Sequence, residues 1–106
     1  MINLHCRETD AIKFAAWGIT REPGHVGSVF VGELSKMPTA DEMAKLAQAE
    51  VPFWIGQTVG DVTFSWISDG ATVVPSLPKG SVEDNLPYRL AYDHLDALLY
   101  PTEELR

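Results

Sequence analysis

The stretch that decides the fold is VPFWIGQTVGDVTFSWISDG, residues 51–70. It holds two short runs in which aromatic and β-branched residues alternate with smaller or polar ones, and TVGD separates the runs. Alternation with a period of two is typical of a strand with one buried face, and a short break containing Gly and Asp is typical of a hairpin loop. The stretch therefore predicts two antiparallel strands joined by a tight connection.

The length of the TVGD loop decides which side chains share a face of this hairpin. With a four-residue loop, Phe53 pairs with Trp66. Trp54 then points to the opposite face, together with Ile67. With a three- or five-residue loop the register moves by one residue, and Trp54 joins the core instead. The core face expected for the four-residue loop carries Phe53, Ile55, Val62, Phe64, Trp66 and Val73.

A third strand is expected after the hairpin. Asp69-Gly70 is a dipeptide that two-residue type I′ turns prefer, so Trp66 is expected opposite Val73. The second face of this three-stranded meander is mixed in polarity. A helix covers it, or it stays open as a contact surface, and the outcome decides the role of Trp54.

A helix is predicted before the meander. Thr39 and Glu42 match a capping box, in which each side chain bonds the backbone of the other residue. Apolar residues then follow at helical spacing, so the helix is expected over about 40–50 with Pro52 as its end. The residues at this spacing are Met43, Leu46, Ala47 and Glu50, of which the first three are apolar.

A second helix is predicted after the meander, starting near Ser81 or Asn85 and stopping at Pro101. It carries the best amphipathic stripe in the chain, formed by Tyr88, Ala91, Tyr92, Leu95, Leu98 and Leu99. Its polar face is expected to be solvated, because charged residues belong on the outer side of such a helix. This face carries Arg89, Asp93, His94 and Asp96.

The N-terminal part contains strands and one ambiguous segment. Residues 2–6 alternate like a strand, and residues 25–34 are rich in β-branched residues beyond a turn signal. Residues 11–19 fit a helix by the spacing of their aliphatic residues and a strand by their aromatic residues. We expect a strand there, with a helix over 9–18 as the alternative.

Together these elements predict an α+β fold. Two helices pack on a largely antiparallel sheet of five to six strands, in the chain order β-β-β-α-β-β-β-α. The chain has 106 residues and no linker-like segment. Residues 1–106 are therefore expected to form one domain, with a short acidic tail at 101–106.

Composition limits the partners that we expect. Fifteen acidic and eight basic residues give a net charge of −7, which repels nucleic-acid phosphates and anionic lipids. No apolar stretch approaches the roughly 20 residues that span a bilayer. Cys6 is the single cysteine, so an intramolecular disulfide is excluded, and no secretory-signal pattern opens the chain. We expect a cytoplasmic protein that binds neither nucleic acid nor membranes.

Motifs that carry chemistry are not found in the sequence. His5, His25 and His94 lack zinc-ligand spacing, and no phosphate-binding glycine loop or nucleophile elbow occurs. A Cys6 thiol with His25 as its base is conceivable if their strands pair, but a buried and unreactive Cys6 is favoured. We therefore expect a protein that is not an enzyme and has no metal or cofactor.

The function that the sequence favours is non-enzymatic binding of another protein. A small acidic domain of this kind is expected to dock on a more basic protein and to inhibit or escort it. Bacterial immunity proteins and phage inhibitors of host defence systems share this general profile, an analogy of class alone. The alternatives are a homodimeric assembly module, and a small enzyme or ligand-binding domain with a pocket between the sheet and the last helix.

The candidate contact residues come from the meander. An exposed tryptophan beside apolar neighbours is typical of an interface anchor, and acids at the turns suit a basic partner. The predicted partner-binding residues are Trp54, Asp61, Ile67 and Asp69. For the ligand-binding alternative, the polar groups are expected from Cys6, Tyr92 or His94.

Overall fold

The computed structural model describes residues 2–20, 24–26, 29–75 and 86–100. Within these ranges one antiparallel sheet has the spatial order β2-β3-β1-β4-β5-β6. Its strands are β1 (Ile2–Arg7), β2 (Gly24–Val26), β3 (Val29–Leu34), β4 (Pro52–Val59), β5 (Val62–Asp69) and β6 (Val73–Pro75). The helices are a 3₁₀ helix (Glu8–Trp17), α1 (Ala40–Gln48) and α2 (Leu86–Leu99). The α+β class is confirmed. The predicted caps Ser81 and Asn85 and the tail at 101–106 lie outside the described residues.

The segment after β1 is helical, so the strand expected over 11–19 is wrong and the helical alternative holds. Asp10, Phe14 and Trp17 are buried, and the spacing of three places Phe14 and Trp17 on one side of the 3₁₀ helix. Gly18 has a φ of 69° and follows the last helical residue. The glycine therefore ends the helix.

The loop between β4 and β5 has two residues, Gly60 and Asp61, and not the three, four or five considered from the sequence. Val59 pairs with Val62, and Ile55 pairs with Trp66. A positive φ occurs at Gly60 (64°) and not at Asp61, which is the pattern of a type II′ turn. Compared with a four-residue loop, the pairing shifts by two residues along the strand. Because side chains alternate with a period of two, each one keeps the face expected for that loop.

The loop between β5 and β6 is longer than predicted. Ser68 pairs with Val73, which leaves four residues between this last pair in place of a two-residue turn. The Asp69 carboxylate accepts hydrogen bonds from the backbone N–H groups of Ala71 and Thr72 and so shapes this loop. The loop length again differs by two residues, so the side chains again lie on the expected faces of the sheet. On the expected core face Phe53 and Ile55 are buried, whereas Phe64, Trp66 and Val73 are half-buried.

Helices cover both faces of the sheet. The 3₁₀ helix and α1 lie on one side, which we call the α1 face, and α2 lies on the other, the α2 face. The larger apolar cluster lies at the α1 face and includes Leu4, Cys6, Phe14, Phe30, Met43, Phe53 and Ile55. The α2 face holds Val29, Ile67, Ala91, Leu95 and Leu99. The mixed face of the meander is therefore covered by a helix.

The ends of α1 are fixed by backbone and side-chain hydrogen bonds. The predicted capping box is present, with Thr39 and Glu42 bonding each other's backbone N–H groups. The Trp17 indole N–H also donates to Glu42, which ties the 3₁₀ helix to α1. At the other end, Glu50 has a left-handed φ of 61°, and the bonds from Glu50 and Val51 to carbonyls of the last turn form a Schellman motif. This motif, and not Pro52, ends the helix.

Candidate functional site

A cleft of about 310 Å³ opens between α2 and the sheet, and we call it the α2 cleft. Its walls come from β1, β4, β5 and the C-terminal half of α2, and are lined by His5, Trp54, Ser65, Tyr92, Leu95, Asp96, Leu99 and Tyr100. Aromatic surface dominates this set, and one carboxylate accompanies it. The position matches the pocket that the ligand-binding alternative expected between the sheet and the last helix.

The sheet side of the cleft is built around Trp54. Antiparallel pairing places His5 of β1 directly beside Trp54 of β4, and their rings meet edge to face with centroids 5.0 Å apart. The indole also extends along its own strand over Gly56, where an added Cβ would lie 2.3 Å from the ring. Because Gly56 has no side chain, the ring can lie along the strand and form part of the cleft.

The helix side of the cleft is a stripe at a spacing of four residues. Tyr92, Asp96 and Tyr100 are four residues apart, which is slightly more than one helical turn. Their side chains therefore reach the cleft from the same side of the helix. Leu95 and Leu99 are buried beside them and attach the helix to the sheet. The spacing of the Tyr-Asp-Tyr stripe is visible in the sequence, where we had assigned only Tyr92 to the apolar side.

The electrostatics of the cleft favour a positively charged ligand. Burial lowers the pKa of His5, so its imidazole is neutral at neutral pH and does not oppose a cation. Asp96 supplies a carboxylate at the rim. In the described part of the chain, neither lysine nor arginine lines the cleft.

The four predicted contact residues do not form one surface. Trp54 is half-buried in the α2 cleft, whereas Ile67 has an exposed fraction of 0% beneath α2 and therefore belongs to the core. Asp61 is exposed at the tip of the β4–β5 hairpin, and Asp69 lies at the far end of β5. These acids are eight positions apart along an extended strand, a separation of roughly 25 Å. Ile67 is therefore dropped from the candidate surface, and binding by the other three stays a prediction.

The polar groups of α2 have mixed environments. His94 Nδ1 lies 3.5 Å from the Asp69 carboxylate, so α2 passes close to the end of β5. Asp93, His94 and Asp96 are all exposed, as expected for a solvated face. Among the described side chains, no ion pair joins Arg89 to Asp93. Of the three polar groups expected to line a ligand pocket, Tyr92 alone does so.

Cys6 is a core residue, and its strand does not pair with the strand of His25. Strand β3 lies between β1 and β2, so the strands of Cys6 and His25 do not pair, contrary to the condition for a thiol–imidazole dyad. The side chain of His25 lies outside the description. Burial, and then the charge of Asp10, raise the pKa of the Cys6 thiol to about 12 against the opposing effect of Arg7. At neutral pH the thiol is therefore protonated and not nucleophilic.

Within the described ranges, no group of three or more His, Cys, Asp or Glu side chains is placed to hold a metal ion, and each helix is too short or too polar to span a bilayer. A second groove of about 380 Å³ runs between α1 and the β5–β6 loop region. Four alanines line it, together with Gln48, Trp66, Thr72, Val73 and Pro75.

Comparison with protein-family models, with curated proteins and with solved structures gives no significant match.

Proposed function

We propose that this protein is a non-enzymatic binding protein that docks on a more basic protein and inhibits or escorts it. The observation that carries the proposal is the concentration of exposed apolar residues on α2. Leu90, Tyr92, Leu98 and Tyr100 keep 59%, 45%, 38% and 37% of their surface exposed. Tyrosines and large aliphatic residues gathered on one helix are typical of a protein interface.

Charge supports a basic partner. The chain carries a net charge of −7, and Tyr92 and Tyr100 line the α2 cleft together with the Asp96 carboxylate. A negative field speeds encounter with a positively charged protein and disfavours acidic ones. It also disfavours self-association, because two copies that meet at α2 bring like charges together. We therefore prefer a basic partner to the homodimeric alternative.

A ligand-binding domain is the second candidate, and the α2 cleft favours it. Its volume of about 310 Å³ lies at the lower end of the range for small-molecule sites. A cleft of this size fits a single side chain or a small ligand better than a nucleotide or a large cofactor. The cleft therefore agrees with both candidates, whereas the exposed leucines outside it agree with protein binding alone.

The test is capture of a partner that depends on α2. The full chain carrying a photocrosslinking residue at position 94 is exposed to lysate of its native host, and captured proteins are identified by mass spectrometry. The doubly substituted Leu90→Ser, Leu98→Ser protein is the disrupting variant. Ile12→Ser is the matched control, since Ile12 is 79% exposed on the 3₁₀ helix at the other face of the sheet.

The expected result is a basic protein that the unsubstituted protein and the Ile12→Ser variant capture and the double leucine variant does not. Its association rate, measured with purified proteins, is expected to fall as ionic strength rises. The proposal is contradicted if the double leucine variant still captures the partner, or if the association rate does not depend on ionic strength. Thermal melting of each variant shows that the fold is retained.

A further inference from the structure

The α2 cleft combines aromatic walls with one carboxylate in a protein of strongly negative charge. We propose that it is a subsite for a guanidinium group and receives an arginine side chain of the basic partner. This inference rests on the proposed function for the source of the arginine. It assigns to Trp54, Tyr92, Tyr100 and Asp96 a specific ligand chemistry, which the docking proposal alone does not.

The aromatic walls suit a planar cation. A guanidinium group stacks on aromatic rings and is attracted by their negative π faces, most strongly by tryptophan. Trp54 is held in place before any ligand arrives, since His5 contacts its edge and Gly56 leaves room beneath it. A ring that is already positioned loses little conformational entropy on binding, which favours affinity.

The carboxylate of Asp96 adds direction to this attraction. A guanidinium group donates hydrogen bonds in a fixed planar fork that matches a carboxylate, whereas an ammonium group acts as a point charge. Asp96 lies between Tyr92 and Tyr100 along α2, so a cation that contacts it also contacts the rings. Arginine is therefore preferred to lysine at this site.

Size and charge agree with a single inserted side chain. The cleft holds about 310 Å³ and is open to solvent at the rim formed by Tyr92 and Tyr100, which are both exposed. His5, on the opposite wall, is neutral because burial disfavours its charged form. A cation that enters thus meets a carboxylate and neutral aromatic surface.

The experiment follows the indole N–H signals of the three tryptophans by NMR while the full chain is titrated with capped Gly-Arg-Gly peptide. The signal of Trp54, assigned with a Trp54→Phe variant, is expected to move saturably with a millimolar dissociation constant. Trp17 and Trp66 lie at the α1 face and serve as internal controls. The same peptide with citrulline in place of arginine has the same shape without the charge and is expected not to bind.

Two carboxylate variants form a matched pair for this titration. Asp96→Asn is expected to weaken peptide binding about fivefold, the loss that an exposed ion pair gives. Asp93→Asn removes the same charge from the same helix outside the cleft, and is expected to change the affinity by less than about twofold. Equal effects of the two substitutions, or equal binding of the citrulline peptide, overturn the proposal. Tighter binding of tetramethylammonium chloride than of the arginine peptide overturns the choice of guanidinium.

Failure of the subsite and failure of the proposed function give different results. If Asp96→Asn leaves partner capture and partner affinity unchanged while the double leucine variant abolishes both, the arginine subsite is overturned and the docking function stands. If the arginine peptide binds at Trp54 but no partner depends on Leu90 and Leu98, the guanidinium site is supported and the docking function is overturned.

Discussion

The indole ring of Trp54 occupies the space above Gly56, two residues further along the same strand. A Cβ added at Gly56 would lie 2.3 Å from one ring carbon and 2.5 Å from the next, far inside contact distance. The glycine is therefore required by the ring and not by its own backbone conformation, which is ordinary for a strand. Trp54 in turn forms part of the α2 cleft, so a residue without a side chain shapes the candidate site.

The first prediction concerns this pair. Gly56→Ala is expected to lower the free energy of unfolding by about 1–3 kcal/mol, because the ring has to move from a packed position. Urea denaturation measures the loss. In a Trp54→Leu background the same substitution is expected to cost much less, since the obstructing ring is gone. Equal costs in the two backgrounds would mean that another contact restricts Gly56.

The second prediction concerns the end of α1. Glu50 adopts a left-handed φ of 61°, at a helix position where glycine is usual. Glu50→Gly is expected to raise the free energy of unfolding by about 0.5–1 kcal/mol, since relief of the steric strain exceeds the added flexibility of the unfolded chain. Glu50→Ala keeps the strain and is the control, with little change expected. A destabilised glycine variant in thermal or urea melts contradicts the prediction.

The third prediction concerns Asp10, which lies buried between two cations. Burial by itself raises the pKa of Asp10, but hydrogen bonds from Lys13 and Arg7, each 2.8 Å long, outweigh it and leave the pKa below its usual value. A lowered folded pKa means stability that is present above the unfolded pKa of about 3.9 and is lost as pH falls through the folded value.

Asp10→Asn is accordingly expected to reduce the free energy of unfolding by about 1–2 kcal/mol at pH 7, because the charged hydrogen bonds are lost. The difference from the unsubstituted protein is expected to shrink below about pH 4, where protonated aspartic acid resembles asparagine. Urea titrations across this pH range measure it. A difference that stays constant down to pH 2 would show that charge is not the cause.

The fourth prediction concerns His5 in the α2 cleft. Burial lowers its pKa, so between the folded pKa and the unfolded value of about 6.5 the unfolded chain binds more protons. The free energy of unfolding is therefore expected to fall as pH drops below about 6.5. His5→Phe keeps an aromatic ring against Trp54 and removes this titration, while the other histidines remain. If both proteins lose stability equally between pH 7 and pH 5, His5 does not contribute.

Much of the fold could be predicted because alternation along a strand assigns each side chain to a face of the sheet even where the loop length is predicted wrongly. The β4–β5 loop is two residues shorter than a four-residue loop, and the β5–β6 loop is two residues longer than the expected two-residue turn. Side chains along a strand alternate with a period of two, so Trp54 and Phe53 lie on opposite sides of the sheet as expected. The sequence favours a strand over the helical alternative at 9–18 because aromatic residues favour strands locally, whereas Phe14 and Trp17 gain more by packing on the sheet together.

The candidate site could be predicted only in part. The Tyr92, Asp96 and Tyr100 spacing is a local signal that sequence alone contains. His5 is brought to Trp54 by pairing between strands about 50 residues apart, which no local pattern specifies. The burial of Ile67 likewise depends on α2, whose contact with the meander is long-range.

Because its sheet has helices on both sides, this small protein has two separate interiors. Substitutions in the α1 cluster and in the α2 cleft share few neighbours, and their effects on the free energy of unfolding are expected to add. Stabilising changes such as Glu50→Gly can then be combined with substitutions in the cleft without disturbing the cleft itself. The free energy of unfolding and the lining of the α2 cleft can thus be changed by separate sets of substitutions.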